Sequence, residues 1–189
     1  MRIPGRAVLA ACTLALAAAC LAGCTSQHAS ADPTTTPKPT PTPVFTSDAE
    51  ALAAATKVYK KFEAAVDAIG HDGGKDPERV KPYLSHAGYE FEVEEAKKYQ
   101  TEHSHGTGTT VLNNAILQSH SETGGVATVT IYVCEDISGV DRIGPDGKSM
   151  VSPDRGDYND YQVVLKSNAR HQLIIESNKY WSGGGICKF

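Results

Sequence analysis

The chain has 189 residues, with 18 Lys and Arg against 22 Asp and Glu, a net charge of −4 with histidines neutral. A mildly acidic chain without a basic run excludes the electrostatic footprint of a nucleic-acid binder, and equally a surface that attracts anionic lipid. The length suits one domain plus flanking segments.

The first 23 residues are unlike the rest. Arg2 and Arg6 precede an Ala-rich apolar run over 7–23, which closes in Leu21-Ala22-Gly23-Cys24. A positive start, an apolar middle and small residues at the end predict a secretory signal peptide. The run is short and Ala-rich for a membrane-spanning helix, and a plain secretory signal would lack a reason for the cysteine. Leu21-Ala22-Gly23-Cys24 resembles a bacterial lipobox. That resemblance implies cleavage before Cys24, lipidation of its thiol and a stable diacylglycerol anchor on the outer side of the cell membrane, because two acyl chains hold where one does not. Cys12 and Cys20 leave with the peptide. The expected mature chain loses Arg2 and Arg6 only, leaving 16 basic residues against 22 acidic and a net charge of −6.

Residues 24–46 then read as a lipidated cysteine followed by a Thr/Pro-rich linker, TSQHASADPTTTPKPTPTPVFT. Such a composition buries too little apolar surface to offset chain ordering. At about 3.1 Å per residue in extended Pro-rich chain, 20 residues reach roughly 60 Å, so the expectation is a stalk.

Residues 47–189 are expected to form one α+β domain. Ser47 and Glu50 make a capping box. Leu52, Ala55, Tyr59, Phe62, Val66 and Ile69 follow at helical spacing, with Lys57, Lys60, Lys61, Glu63 and Asp67 mostly off that stripe. Gly70 is the expected helix end, and His71-Asp72-Gly73-Gly74 a loop. Asp76-Pro77-Glu78 starts a second helix to about Leu84, with proline in the first turn, and a third is predicted from about Tyr89 to Gln100. The period then changes: 109–119, 125–136, 158–168 and 171–181 are β-rich, separated by turn signals such as Thr123-Gly124-Gly125 and Gly144-Pro145-Asp146-Gly147. Helices followed by consecutive strands predict helices packed on an antiparallel sheet of about four long strands. Val129, Ile131 and Val133, with Tyr161, Val163 and Leu165, are the expected helix-facing side.

Two thiols remain after processing, Cys134 and Cys187. An even pair in an oxidising compartment predicts a disulfide tying the C-terminal segment to the sheet. The alternative, a reactive or metal-binding thiol pair, has no C-x-x-C spacing behind it.

A strand ending Tyr132-Val133-Cys134-Glu135-Asp136-Ile137-Ser138, a Tyr161-Gln162-Val163-Val164-Leu165 strand and a closing Tyr180-Trp181 with a late Cys187, behind a lipobox, linker and capped helix, resemble small actinobacterial lipoproteins with an NTF2-like (SnoaL-like, cystatin-like) domain. The resemblance covers about 47–189, and departs where Tyr180-Trp181 runs into three glycines. It implies a curved antiparallel sheet wrapped around a long helix, with a pocket at the open end. Members include isomerases, dehydratases and pockets without chemistry, so fold does not give function.

No G-x-S-x-G, P-loop, H-E-x-x-H or Rossmann glycine pattern is present. Asp136 and Tyr132 share a strand face and could supply a base and a donor, but Cys134 lies between them on that face and the opposite face reads as core, so Asp136 reads as a turn carboxylate. His103 and His105, with His120, could offer metal ligands; a polar loop from Gln100 to Gly108 is the preferred reading. The acids of 141–148 lack a calcium-loop order, and Arg155-Gly156-Asp157 is a common tripeptide. The long polar stretch 137–157 is the loop to inspect first for recognition. No cofactor and no metal is expected. The expected role is a lipid-anchored extracytoplasmic protein binding an envelope protein or small hydrophobic ligand without chemistry; the alternative is an isomerase- or dehydratase-like enzyme acting on a small hydrophobic substrate in the cone.

Overall fold

A computed structural model describes residues 42–187. Cys24, the segment expected to be a signal peptide and most of the expected linker lie outside the described residues. The elements run α1 (Asp48–His71), a 3-10 segment (Pro77–Tyr83), α2 (His86–Thr101), β1 (His105–Thr107), β2 (Val111–Thr123), β3 (Val126–Asp136), β4 (Asp141–Ile143), β5 (Tyr158–Ser167) and β6 (Leu173–Tyr180). This is an α+β domain. Its main sheet is antiparallel, ordered β2-β3-β5-β6, and β1 pairs β4 in a separate ribbon.

The cap of α1 forms as its sequence dictates. Ser47 Oγ accepts the Glu50 amide at 3.2 Å, while the Glu50 carboxylate takes the amide and hydroxyl of Thr46, one residue before the usual capping-box partner. Val44 and Phe45, at the end of the stretch expected to be linker, already touch the domain: the Val44 amide donates to Glu122 at 2.7 Å and Phe45 packs against the core. Helix α2 starts three residues earlier than the apolar spacing suggested, because Ser85 caps it by accepting the Gly88 amide. The segment expected as a second helix is 3-10, with Pro82 inside it.

One face of the sheet is buried under α1. Val129, Ile131, Val133, Val163 and Leu165 meet Ala51, Ala55, Tyr59, Phe62 and Ile69 from the helix, as the alternation predicted. Bulges at Leu112/Asn114 and Leu117/Ser119 in β2 and at Val164/Leu165 between β5 and β6 interrupt the register; bulges of this kind bend a strand and increase its twist. Helix α2 is fixed to the far edge. Leu84 bridges Ile175 in β6 and the Ser85 amide donates to the Ile175 carbonyl at 2.9 Å. At the other end Gly74 has φ +80°, and a Cβ there would collide with the Ala96 carbonyl; only glycine combines that conformation with so close an approach of α2. Helices α1 and α2 with β6 therefore frame an opening over the sheet.

Two short strands lie in stretches expected as loops. The β1–β4 ribbon joins residues 105–107 to 141–143, held to the end of α2 by Arg142, which bonds Ser104, pairs with Glu102 at 2.7 Å and stacks on Tyr99. The disulfide Cys134–Cys187 is present. It ties the segment after β6 to the outer sheet face, where Trp181 packs on Tyr132 and the Cys187 amide donates to Asp160.

The bridge closes a separation of 53 residues, for which loop entropy alone gives about 4 kcal/mol. Replacing both cysteines by serine is expected to lower the unfolding free energy from denaturant titration by up to that amount while leaving the far-UV circular dichroism of the folded state unchanged; an unaltered unfolding free energy would show that the bridge contributes nothing to stability.

Candidate functional site

The opening framed by α1, α2 and β6 is a cavity of about 580 Å³, within the range of small-molecule sites. Its apolar wall is Phe62 and Val66 from α1, Leu84, Phe91 from α2 and Ile175 from β6. Phe91 is 61% exposed, an aromatic ring at the mouth with little protein over it.

The polar lining is acidic. Glu63 comes from α1, Glu92 and Glu95 from α2, and Glu135 from β3, with Tyr161 and Asn178 beside them. Glu135 is only 5% exposed. Two facts of local structure put it there. Side chains alternate along β3, so the register that buries Val129, Ile131 and Val133 sends Glu135 to the same face. On α1, Glu63 follows Tyr59 by four residues and Phe62 by one, which places it on the edge of the buried stripe.

These groups form one hydrogen-bond chain. Tyr59 donates its hydroxyl to Glu135 Oε1 at 2.6 Å, and Asn178 Nδ2 donates to the Tyr59 oxygen at 3.2 Å. The Glu63 and Glu135 carboxyls lie side by side in this lining, within reach of each other's charge. Two carboxylates so placed oppose each other's ionisation in a poorly hydrated site. Burial and then the neighbouring charge of Glu135 hold the Glu63 carboxyl well above the usual carboxylate range. Glu63 thus holds a proton more strongly than Glu135, which accepts the Tyr59 hydroxyl. Glu135 is itself raised by burial, against the lowering effect of Tyr59 and Glu63. Burial, helped by Glu95, pushes Glu92 up to about 7. Burial likewise pushes Tyr59 well above its usual value and Tyr161 to about 12, so both phenols stay protonated donors. Among the described residues no Lys, Arg or His pairs with Glu63, Glu92 or Glu135.

The residues singled out from sequence lie elsewhere. Asp136, one residue beyond Glu135, points away from the cavity and accepts the amide and hydroxyl of Ser138, which lower its pKa; it is the turn carboxylate its position suggested. Tyr132 is on the outer face against Trp181. The three histidines do not converge. His120 bonds Asp48 at the start of α1, whereas His103 and His105 lie with His71 along an open groove at the helix's other end. Among the described residues the only group with metal-ligand proximity is Cys134, Asp160 and Cys187, and its two thiols are spent in the disulfide. Arg155 is turned inward: its guanidinium donates to the carbonyls of Ile137 and Val140, stapling the 137–157 loop rather than presenting a tripeptide. Asp141 and Asp146 likewise accept bonds from their own loop, Asp141 from Arg142 and Ser149, Asp146 from Lys148.

No family model matches the chain, and no curated protein matches it. Among solved structures, the intermembrane-space region of the chloroplast protein ARC6 aligns with a TM-score of 0.51 at 10% identity, over 68% of this chain and 95% of that one. At that identity the likeness is one of fold alone. A de novo designed β-sheet protein aligns at a TM-score of 0.28 and 14% identity, over 75% of this chain and 95% of the design, too low to carry an argument.

The raised carboxyls fix a pH dependence. The folded state binds more protons than the unfolded chain above the ordinary glutamate value, so their stabilising contribution is complete below about 4.5 and is lost as pH rises through the folded values, Glu92's being about 7. Melting temperature is therefore expected to fall between pH 5 and 8. Glu63→Gln removes one ionisation and keeps a donor for Glu135; it should flatten that fall and raise the melting temperature at pH 8 by about 4 °C, roughly 1 kcal/mol for a domain of this size. A melting temperature constant across the range in wild type would contradict the assignment.

Proposed function

We propose that the protein is a lipid-anchored envelope protein whose α+β domain is an NTF2-like cone that binds a small amphipathic molecule in the cavity beneath α2. The observation that carries the binding reading is the cavity itself, an apolar wall closing on a polar base in a space of about 580 Å³. A long helix laid on a bulged four-stranded antiparallel sheet supports the cone. The disulfide fits an oxidising, extracytoplasmic setting, and no described helix is long and apolar enough to cross a membrane. The anchor rests on the lipobox resemblance at Cys24, with the Thr/Pro-rich stretch before Val44 acting as stalk.

Acid–base catalysis is a second reading, favoured by the neighbouring Glu63 and Glu135 carboxyls in the lining, Glu135 bonded by Tyr59. A carboxyl pair sharing one proton is equipped to take and return a proton on a bound substrate, and the isomerase- or dehydratase-like enzyme is the form this takes. A pocket-bound ketone that exchanges its α-hydrogen with heavy water in the wild type and not in Glu135→Gln would favour this reading over simple binding.

Two measurements test the first reading. Intact mass of the membrane-extracted protein is expected to show a chain beginning at a diacylglycerol-modified Cys24; an unmodified chain cut elsewhere would remove the anchor. Nile red, an uncharged dye, is expected to fluoresce on binding the wild type. Ala87→Trp, which puts an indole into the cavity from an exposed position on α2, should reduce that signal at least fivefold with the melting temperature retained. Equal signals in both proteins would contradict the pocket.

A further inference from the structure

The acidic base of this cavity lacks the counter-charge that buried carboxylates normally have. Carboxyl groups leave water at a cost of several kcal/mol unless a cation or strong donors replace the lost solvation. Glu135 has a donor in Tyr59. Neither Glu63 nor Glu92 has a cationic partner among the described residues. The wall opposite them is apolar, and at the mouth the Phe91 ring is left exposed.

We infer that the cavity takes a protonated amine carried on an apolar body, the nitrogen seated against Glu63, Glu92 and Glu135 and the body lying along Phe62, Leu84 and Phe91. This deepens the binding reading above and rests on it. The ammonium supplies the counter-charge that the fold omits, and its N–H groups donate to carboxylate oxygens that otherwise require protons. An uncharged ligand leaves those protons in place and gains only the apolar contact. An anionic ligand meets like charge.

Binding then displaces protons, and the charged groups around the seat set the sign. Helix α1 faces the seat with Glu63; Tyr59 lies behind it, bonded to Glu135, and Asp67 farther along the helix is held by Thr110. Helix α2 faces it with Glu92, Glu95 and Tyr99, and β3 with Glu135. Strand β5 brings Tyr161; β6 brings Glu176 and Lys179, the sole cation of the lining, at an exposed position. Carboxyls dominate, so affinity for an amine that stays protonated should rise as pH increases from 5 to 8.

The test uses three molecules with one skeleton: 4-phenylbutylamine, 4-phenyl-1-butanol and 4-phenylbutyrate, titrated calorimetrically into the folded wild type. At pH 8 the amine is expected to bind at least tenfold tighter than the alcohol, and the acid more weakly than either. Between pH 5 and 8 the amine's affinity should rise at least tenfold and the alcohol's stay level. Titrations at pH 7 in buffers of different ionisation enthalpy should show proton release with the amine alone. Glu92→Gln, at the rim of the cavity, should cost the amine about fivefold at pH 8 and leave the alcohol unchanged, which separates lost charge from lost fold. An amine that binds no tighter than the alcohol, including the case where neither binds, overturns this inference; the pocket itself stands or falls separately on the Nile red comparison.

Discussion

The hydrogen bond from Tyr59 to Glu135 joins the middle of α1 to the end of β3 inside the core. Most of what is distinctive in this domain depends on it. A fully buried tyrosine needs a partner for its hydroxyl, and a carboxylate in the same place needs donors. Each satisfies the other, and Asn178 from β6 completes the chain. Glu63, one helical turn beyond Tyr59 on the same face, lies beside Glu135 in the cavity lining. The helix register, the strand register and the protonation of the cavity are thus one linked constraint.

That constraint explains why the site is polar at its base and apolar along its wall. Aliphatic side chains of β3 and β5 fill the sheet under α1 as far as Val133. Beyond it Glu135 bonds Tyr59, α2 is attached to β6, and the cavity between them is lined by glutamates and Phe91. Carboxyls whose pKa values are raised by burial and by one another make a seat whose charge follows pH and any cation that enters. The outer sheet face is handled differently: the segment after β6 folds back, Trp181 covers Tyr132, and the disulfide to Cys134 holds the segment there.

Much of this architecture was legible in the sequence. The cap at Ser47, the apolar stripe of α1, the two-residue alternation of β3 and β5 and the pairing of Cys134 with Cys187 each follow from one strong local rule, and the structure agrees with all of them. The site was legible too, but one residue from where attention fell. The alternation that assigned Val129, Ile131 and Val133 to the core also assigns Glu135, whereas Asp136 drew notice because it sits with Tyr132. Glu63 was counted as a solvated charge because a helical wheel gives an angle and not the height of the neighbouring element; only the position of α2 decides whether that edge is wet. Helix α2 itself was read short, since its first turn carries Ser85 and His86 in place of apolar spacing. The β1–β4 ribbon could not be read at all: three-residue strands 34 positions apart, Thr107 to Asp141 at their closest, have no periodicity to detect.

The central claim is that the Glu63 and Glu135 carboxyls titrate as a pair, with Glu63 held well above the usual carboxylate range by burial and by the neighbouring charge of Glu135. Carbon-13 NMR titration of the glutamate side-chain carboxyls tests it directly, with Glu63→Gln and Glu135→Gln supplying the assignments. The account predicts that one carboxyl of the pair titrates well above the ordinary glutamate value, with the resonance of its partner shifting in the same step, and the loss of that step in either variant. Independent titration of both carboxyls near the ordinary glutamate value of about 4.3 would contradict it.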